Sequence, residues 1–419
     1  MLRKFWFGAL ILLFCYSETV IADPLKLKLG ADVEEKYSDN VFFDAEDPKD
    51  DFINRIRPWL RTGWVTETVD LQLSGKADFY DYWDNDDLDA VDQFYDGRLF
   101  RRWNSRFSTT LSAAYLNDER RERELAETGL LFNNDNRQRY TCTLNGEYQI
   151  SELSAMSLTY SYEHETFDDE RTYDLQAHLV QLSITRSMAP ALERTTGRVV
   201  LVGGLYEYGR DFATSDPFLG LYRMDVDDDQ TIEYDSIRIG LSHNRTERLQ
   251  FNMDMGARFA RVDNTVDRTI EPNPLNLTVP RAEEEDESWG YVATLEAVYS
   301  GEKWQLSALA SHDLVPASGR DGSSERTTLR FDGKGRLVSR WYYHWSARGY
   351  LNRSDDSGVT SDDDEITVRL QAGLRYAFNP SWSLGAYWLT TWIDDRENNV
   401  DRAQNVASLR LQWNWPILE

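Results

Sequence analysis

The sequence predicts an all-β fold: a transmembrane antiparallel up-and-down β-barrel of about eighteen strands, with sixteen as the alternative count. Three observations predict it. Apolar and polar residues alternate with period two over long stretches, the connections between those stretches alternate short and long, and aromatic residues collect at stretch ends.

The first element is a leader. Met1-Leu-Arg-Lys precedes an apolar run from Phe5 to Cys15, and Val20-Ile21-Ala22 supplies a cleavage site. A charged start, a short apolar core and small residues at the cut are the signature of a secretory signal, and the run is too short to anchor a bilayer. Residues 1–22 are therefore expected to be removed, leaving 23–419 as the barrel. Phe14 before Cys15 is too bulky for a lipoprotein site, so no lipidation is expected. Only Cys142 then remains, and a single cysteine makes no internal disulfide.

After Ala22 no stretch reaches the roughly 20 apolar residues of a transmembrane helix. Mean hydropathy is −0.60. Taken alone that value argues for a soluble protein, but a barrel escapes the test, because only alternate residues of each strand meet lipid. Aromatics make up 13% of the chain, including 14 Trp and 22 Tyr, as two interfacial girdles require. A net charge of −26 excludes a nucleic-acid partner, which needs a basic face.

The alternation is clearest where Val69, Leu71, Leu73, Gly75, Ala77, Phe79, Asp81 and Trp83 interleave with Asp70, Gln72, Ser74, Lys76, Asp78, Tyr80 and Tyr82. It returns from Leu249 to Phe259, from Arg340 to Arg348 and from Ile366 to Phe378. Short connections fall at Glu67-Thr68, Asn104-Ser105, Ser151-Glu-Leu-Ser154, Thr246-Glu247, Gly301-Glu-Lys303 and Asn379-Pro-Ser381. Long acidic ones are expected at 39–51, 117–136, 211–230, 264–287, 313–324 and 352–364. Tight periplasmic turns and long extracellular loops are what this architecture needs, with both termini periplasmic. The alternation slips phase across 171–186, and the strand near 327–334 reads as short.

Val33-Glu-Glu-Lys-Tyr-Ser-Asp-Asn-Val41, followed by Asp50-Asp-Phe-Ile-Asn-Arg-Ile-Arg-Pro-Trp-Leu60, resembles the opening of a known family. It is similar to the outer-membrane β-barrel porins (barrel porin type 2) associated with exopolysaccharide biosynthesis and export clusters. The ending Leu409-Arg-Leu-Gln-Trp-Asn-Trp415 resembles a terminal barrel strand, but Pro416-Ile-Leu-Glu419 departs from the usual aromatic last residue. The resemblance implies a Gram-negative outer-membrane porin that acts as an exit channel for secreted exopolysaccharide. It also implies a periplasmic polysaccharide-export protein and the polysaccharide as partners. Outer-membrane lipid, lipopolysaccharide and the barrel assembly machinery are expected for any such barrel. A general or solute-specific diffusion porin and a structural or adhesive barrel without transport are the alternatives.

No enzyme and no cofactor or metal are expected. His164, His178, His243, His312 and His344 form no metal-ligand pair, and no G-x-S-x-G elbow occurs. His164 and His312 fall on lipid-side positions near strand ends. The acidic runs 84–89, 227–229 and 362–365 lack the glycine and closing glutamate of a calcium loop. By phase, Arg55, Arg57, Arg61, Asp78, Arg98, Arg102, Arg137, Arg139, Arg258, Arg340, Arg348, Arg369, Arg375 and Arg410 are the candidate lumen-lining residues. Arg238, Asp70, Asp92, Asp96, Glu147, Glu163, Glu165, Glu207, Asp254 and Glu296 share that phase. On the lipid face an arginine costs about 2–4 kcal/mol at the midplane, which favours the inward assignment. Such residues make either a cross-strand ion-pair lattice or a charged conduit. Lumen tyrosines Tyr80, Tyr82, Tyr342 and Tyr350 are expected either to stack on sugar rings or to pack among their neighbours.

Purified mature chain should give a β-sheet circular-dichroism spectrum in micelles and lose monodispersity when detergent is removed. A helical spectrum would overturn the barrel.

Overall fold

The computed structural model describes residues 25–119, 121–131, 135–189, 191–215, 223–271, 281–316, 323–354, 364–396 and 398–418; the leader lies outside them. The first nine strands are β1 (Leu25–Ser38), β2 (Asp51–Val65), β3 (Val69–Tyr82), β4 (Ala90–Arg102), β5 (Phe107–Glu119), β6 (Asn136–Ser151), β7 (Ser154–Phe167), β8 (Asp174–Ser187) and β9 (Thr195–Ser215). The remainder are β10 (Arg223–Asn244), β11 (Leu249–Glu271), β12 (Ala282–Ser300), β13 (Trp304–Pro316), β14 (Ser323–Val338), β15 (Trp341–Ser354), β16 (Asp364–Ala377), β17 (Trp382–Asp395) and β18 (Val400–Leu418). One short helix, α1 (Arg121–Glu127), lies between β5 and β6. Each strand pairs antiparallel with its sequence neighbours and β18 pairs back onto β1, so the sheet is a closed ring of eighteen.

Closure leaves every strand with a partner on both sides in the membrane-crossing part of the ring, the condition for crossing hydrocarbon with strands. Tight turns form one rim, and their chemistry is local. Asn104 Oδ1 accepts from the backbone of Arg106 and Phe107 at 2.8 and 2.9 Å, and Asn379 does the same for Ser381 and Trp382 at 2.8 and 2.9 Å. Thr66 and Thr246 hydroxyls each accept the N–H three residues on, at 3.0 Å. Side chains that close such turns release no buried polar backbone.

The register turns alternation into two surfaces. Leu73, Leu144, Ile237, Ile239, Met255, Leu295, Leu329 and Leu370 are exposed on the outside, a belt no aqueous surface of this size would carry. Aromatic contacts flank it. Near the short-turn rim Tyr299 stacks on Trp304 at 4.6 Å, Trp341 meets Tyr376 at 5.0 Å and Trp413 meets Trp415 at 5.9 Å. Toward the other rim Tyr37 meets Phe52 at 5.1 Å and Phe259 meets Trp289 at 4.9 Å. No helix among the described residues is long and apolar enough to cross a membrane.

The ring closes where the family-like motif lies. Asp39 accepts from the backbone and side-chain nitrogens of Asn405 at 2.7 and 2.8 Å. Gln404 donates to Ser38 Oγ and to the Asn40 carbonyl, and Asn40 donates to the Ala403 carbonyl. Buried Glu34 binds Arg55 of β2 on one side, and Arg410 and Ser408 of β18 at 2.8 Å on the other. The conspicuous residues of the motif therefore fasten β1 to its two neighbours. Pro416 pairs with Lys28 beside a register shift, beyond the last β17 partner, where a missing N–H disturbs one ladder alone.

Two expected loops are corrected. Residues 211–230 and 264–287 are largely strand, since β9 runs to Ser215, β10 starts at Arg223, β11 ends at Glu271 and β12 starts at Ala282. At 19–23 residues these four strands far exceed the roughly 9–11 needed to cross a bilayer, so they project beyond it. Above the girdle their polarity inverts without a register break. Ile232, Tyr234 and Val262 face inward into an apolar cluster with Tyr173, Leu175, Tyr206 and Tyr208, while Asp225, Asp227, Asp229, Glu233 and Glu285 share the outward parity. Water outside makes acid the outward residue, and that charge density is why the segments read as loops. The same inversion accounts for the phase slip across 171–186: Leu175 and Ala177 are buried inward and Val180 and Ile184 face out, in one continuous ladder. The strand expected to be short near 327–334 is sixteen residues long, Ser323–Val338.

The projection also leaves an edge. Among the described residues β12 pairs with β13 only from Ala293 to Ser300, so its segment 282–292 has β11 alone beside it. Above that point Leu314 of β13 packs into the projection's apolar cluster, and Glu325 of β14 pairs with Arg258 of β11.

Ile239 stands 66% exposed in the belt. Ile239→Arg should lower stability by about 2–4 kcal/mol in urea titrations of protein folded into vesicles. No change would show that this surface does not meet lipid.

Candidate functional site: a lumen crossed by an inward loop

The loop between β5 and β6 folds into the barrel. At its root, buried Arg137 donates to Asp118 at 3.1 and 3.2 Å and to Glu124 of α1 at 2.6 Å. Arg123 pairs with Asp118 at 2.6 Å and lies 3.9 Å over the Phe94 ring. Arg139 binds Glu165 and reaches Glu127 at 3.4 Å. Arg137, Asp118, Glu124 and Glu165 lie away from water, and removing one partner of such a set leaves an uncompensated buried ion.

The loop tip then reaches β15 and β16, half-way round the ring. Arg348 and Tyr350 both donate to the Ala126 carbonyl, at 3.0 and 2.8 Å. Asn352 donates to the Thr128 carbonyl at 3.1 Å, and buried Thr367 donates to the Gly129 carbonyl at 2.5 Å. The last carbonyls of a helix have no partner within it, so a wall presenting donors, one of them cationic, completes α1. Gly129 turns the chain at φ +77°, where a Cβ would strike Tyr350. Leu125 is buried beside Ile393 of β17 and Phe43 of the first loop, which holds a left-handed φ of 54°.

The crossing divides the lumen. On one side a cavity of 440 Å³ is lined by Ala126, Ser311, Arg326, Arg330 and Arg348, and on the other one of 270 Å³ is lined by Ala126, Lys36, Arg55, Arg57, Asp92 and Arg369.

The register places Arg55, Arg57, Arg61, Asp78, Arg98, Arg102, Arg137, Arg139, Arg258, Arg348, Arg369, Arg375 and Arg410 on the inner face. It does not bring them to one point. Arg340 is corrected: it sits exposed in the two-residue turn between β14 and β15, because the wall's alternation begins only at Trp341. Glu207 is corrected too. It is exposed on the outside, paired with Gln176 and Thr231 in the projection, where outward acid meets water. Asp228 turns inward to Arg210 and Tyr173, so the run 227–229 is split between faces, and residues 362–363 lie outside the described set. His164 and His312 lie on outward parity, with His312 stacked on Tyr291 at 4.2 Å, whereas His344 faces inward.

Charge is unevenly distributed around the wall. From β5 to β13 cations and carboxylates are matched: Arg139 with Glu165, Arg198 with Asp254, Arg210 with Asp228, Arg238 with Asp313. The Arg198–Asp254 pair lies across Gly240 on the strand between, which a Cβ would obstruct. From β14 to β18 the inner face carries Arg326, Arg330, Lys334, Arg336, Arg348, Arg369, Arg375 and Arg410 against Asp332, Glu365 and Asp395. The sequence reading missed the β14 cations. Their alternation was there to be read, but Gly333 and Gly335 blank the matching outer face.

No protein-family model matches the sequence, and no curated protein matches it. Among solved structures it is similar to the ferric yersiniabactin uptake receptor FyuA of Yersinia pestis, at 9% identity over 92% of this chain and 80% of that one, with a TM-score of 0.45. It is also similar to the unliganded ferric citrate transporter FecA, at 8% identity over 94% and 80%, TM-score 0.49. OpdO of Pseudomonas aeruginosa is similar at 11% identity over 94% and 98%, TM-score 0.44.

Gly129→Ala should loosen the tip from Tyr350 and raise single-channel conductance in planar bilayers. Conductance equal to that of the native chain would show that this crossing does not limit the pathway.

Proposed function

We propose that the protein is an outer-membrane channel selective for anionic solutes, with carboxylated saccharides the class that suits it best. The carrying observation is the cationic wall from β14 to β18 beside both openings left by the inward loop. A wall of one sign with low-dielectric surroundings concentrates the opposite ion. An eighteen-strand ring is wide enough for water even when partly filled. Arginine also suits carboxylates in particular, through its paired N–H donors.

Export of an exopolysaccharide is the second reading, favoured by the motif of 33–41 and 50–60. It ranks second because those residues have a mechanical task at the seam, and because a polymer in transit would have to displace a loop bonded to both walls. That role would need a periplasmic export partner at the short-turn rim.

Reversal potentials under a potassium chloride gradient should show preference for chloride, weakening as salt rises. Arg330→Glu with Arg336→Glu should move the ratio toward cations. A cation-selective native channel would overturn the first reading, and undiminished polymer secretion by a deletion strain would overturn the second.

A further inference from the structure

A cavity of 760 Å³ opens at the periplasmic end of the lumen, lined in part by Lys334, Arg336, Tyr342, His344, Arg375 and Tyr387. It lies apart from the inward loop, and none of the contacts described so far uses it. The His344 and Tyr387 rings adjoin at 5.2 Å between centroids. Both lie over Gly373, where a Cβ would overlap His344 Cε1 and Tyr387 Cδ1, and the Tyr387 ring also covers Gly385. The ladders put Gly373 opposite both ring-bearing residues, so the glycines let the rings lie along the wall instead of standing into the channel. Arg375 lies 4.8 Å over the Tyr342 ring and Arg410 lies 4.8 Å over Tyr387. Stacking restrains a guanidinium without using its N–H donors. The acid in the cavity lining is Glu302, on the rim turn, and it pairs with Arg248 at 3.1 Å.

Arg410 is committed to Glu34 at 2.8 Å, so it steadies the Tyr387 ring, whereas Arg375 keeps its donors toward the cavity. Flat aromatic surface beside such a guanidinium fits a ligand with an apolar ring face and a carboxylate on its edge. A pyranose offers the first through its axial C–H bonds, and a uronic acid adds the second. A bare anion would use the cations and leave the rings idle; a neutral sugar would do the reverse. We propose that this vestibule is a binding subsite for uronate-containing saccharides at the periplasmic mouth. It rests on the anion-channel reading and gives the substrate class named there a place to bind.

Isothermal titration of the full-length barrel in detergent, with trigalacturonate, maltotriose and inorganic phosphate as probes, tests it. Trigalacturonate should bind at least tenfold more tightly than either of the others. Arg375→Gln and Tyr387→Ala should each weaken it about tenfold, while Tyr387→Phe, which keeps the ring, should retain most of the affinity. β-sheet circular dichroism of each variant checks folding. Absence of binding, equal affinity for phosphate, or indifference to these substitutions overturns the subsite. Bilayer recordings separate the two readings: chloride current without trigalacturonate binding removes the subsite and leaves the channel, whereas binding without current removes the channel.

Discussion

A strand in hydrocarbon has no water to satisfy its edge, so the whole molecule depends on β18 finding β1. All other strand pairs join neighbours in sequence; this one joins the two ends of the described chain and bears the largest loop-closure entropy. The seam is correspondingly rich in directional contacts. Glu34 holds an arginine on each flank, while Asp39, Asn40, Gln404 and Asn405 interlock at its outer end. Buried ion pairs of this kind add little net stability over apolar packing, but they specify partner and register. Register is what a closing strand needs, since a slip of one residue turns its lipid face to water.

How much of this was legible follows from what surrounds each residue. Leu71, Leu73 and Phe79 could be read because lipid and water face each other across one strand. In β10 the inner Ile232 and outer Glu233 obey the same geometry with solvents exchanged, so a rule tuned to lipid outside read acid-rich strand as loop. The inward loop gave no signal at all. Its wall contacts are main-chain carbonyls at 126, 128 and 129, which every residue carries, and only the ring order reveals that β15 stands opposite β5. The arginines were legible one by one, but their division into a matched half and a cationic half depends on who neighbours whom.

The distribution of charge reconciles an acidic chain with a basic conduit. Carboxylates populate the outer surface of the projection and the long-loop rim, where water solvates them at little cost. Guanidiniums populate the inner wall, several resting on aromatic rings, as Arg61 does on Trp59 at 5.2 Å. On the anion-channel reading, a solute coming from the long-loop rim meets the carboxylates first, and one coming from the short-turn rim meets Lys334, Arg336 and Arg375 first.

The edge of β12 has a bearing on how such barrels crowd together. Segment 282–292 offers main-chain donors and acceptors to any extended chain nearby, and it stands clear of the bilayer where other proteins can reach it. Five consecutive acids, Glu283-Glu-Glu-Asp-Glu287, occupy that margin. Two copies brought margin to margin would confront ten carboxylates at strand spacing, so self-templated growth of the sheet is blocked by repulsion rather than by cover. Divalent cations, by neutralising that row, would turn a margin that keeps neighbours apart into one that lets them adhere.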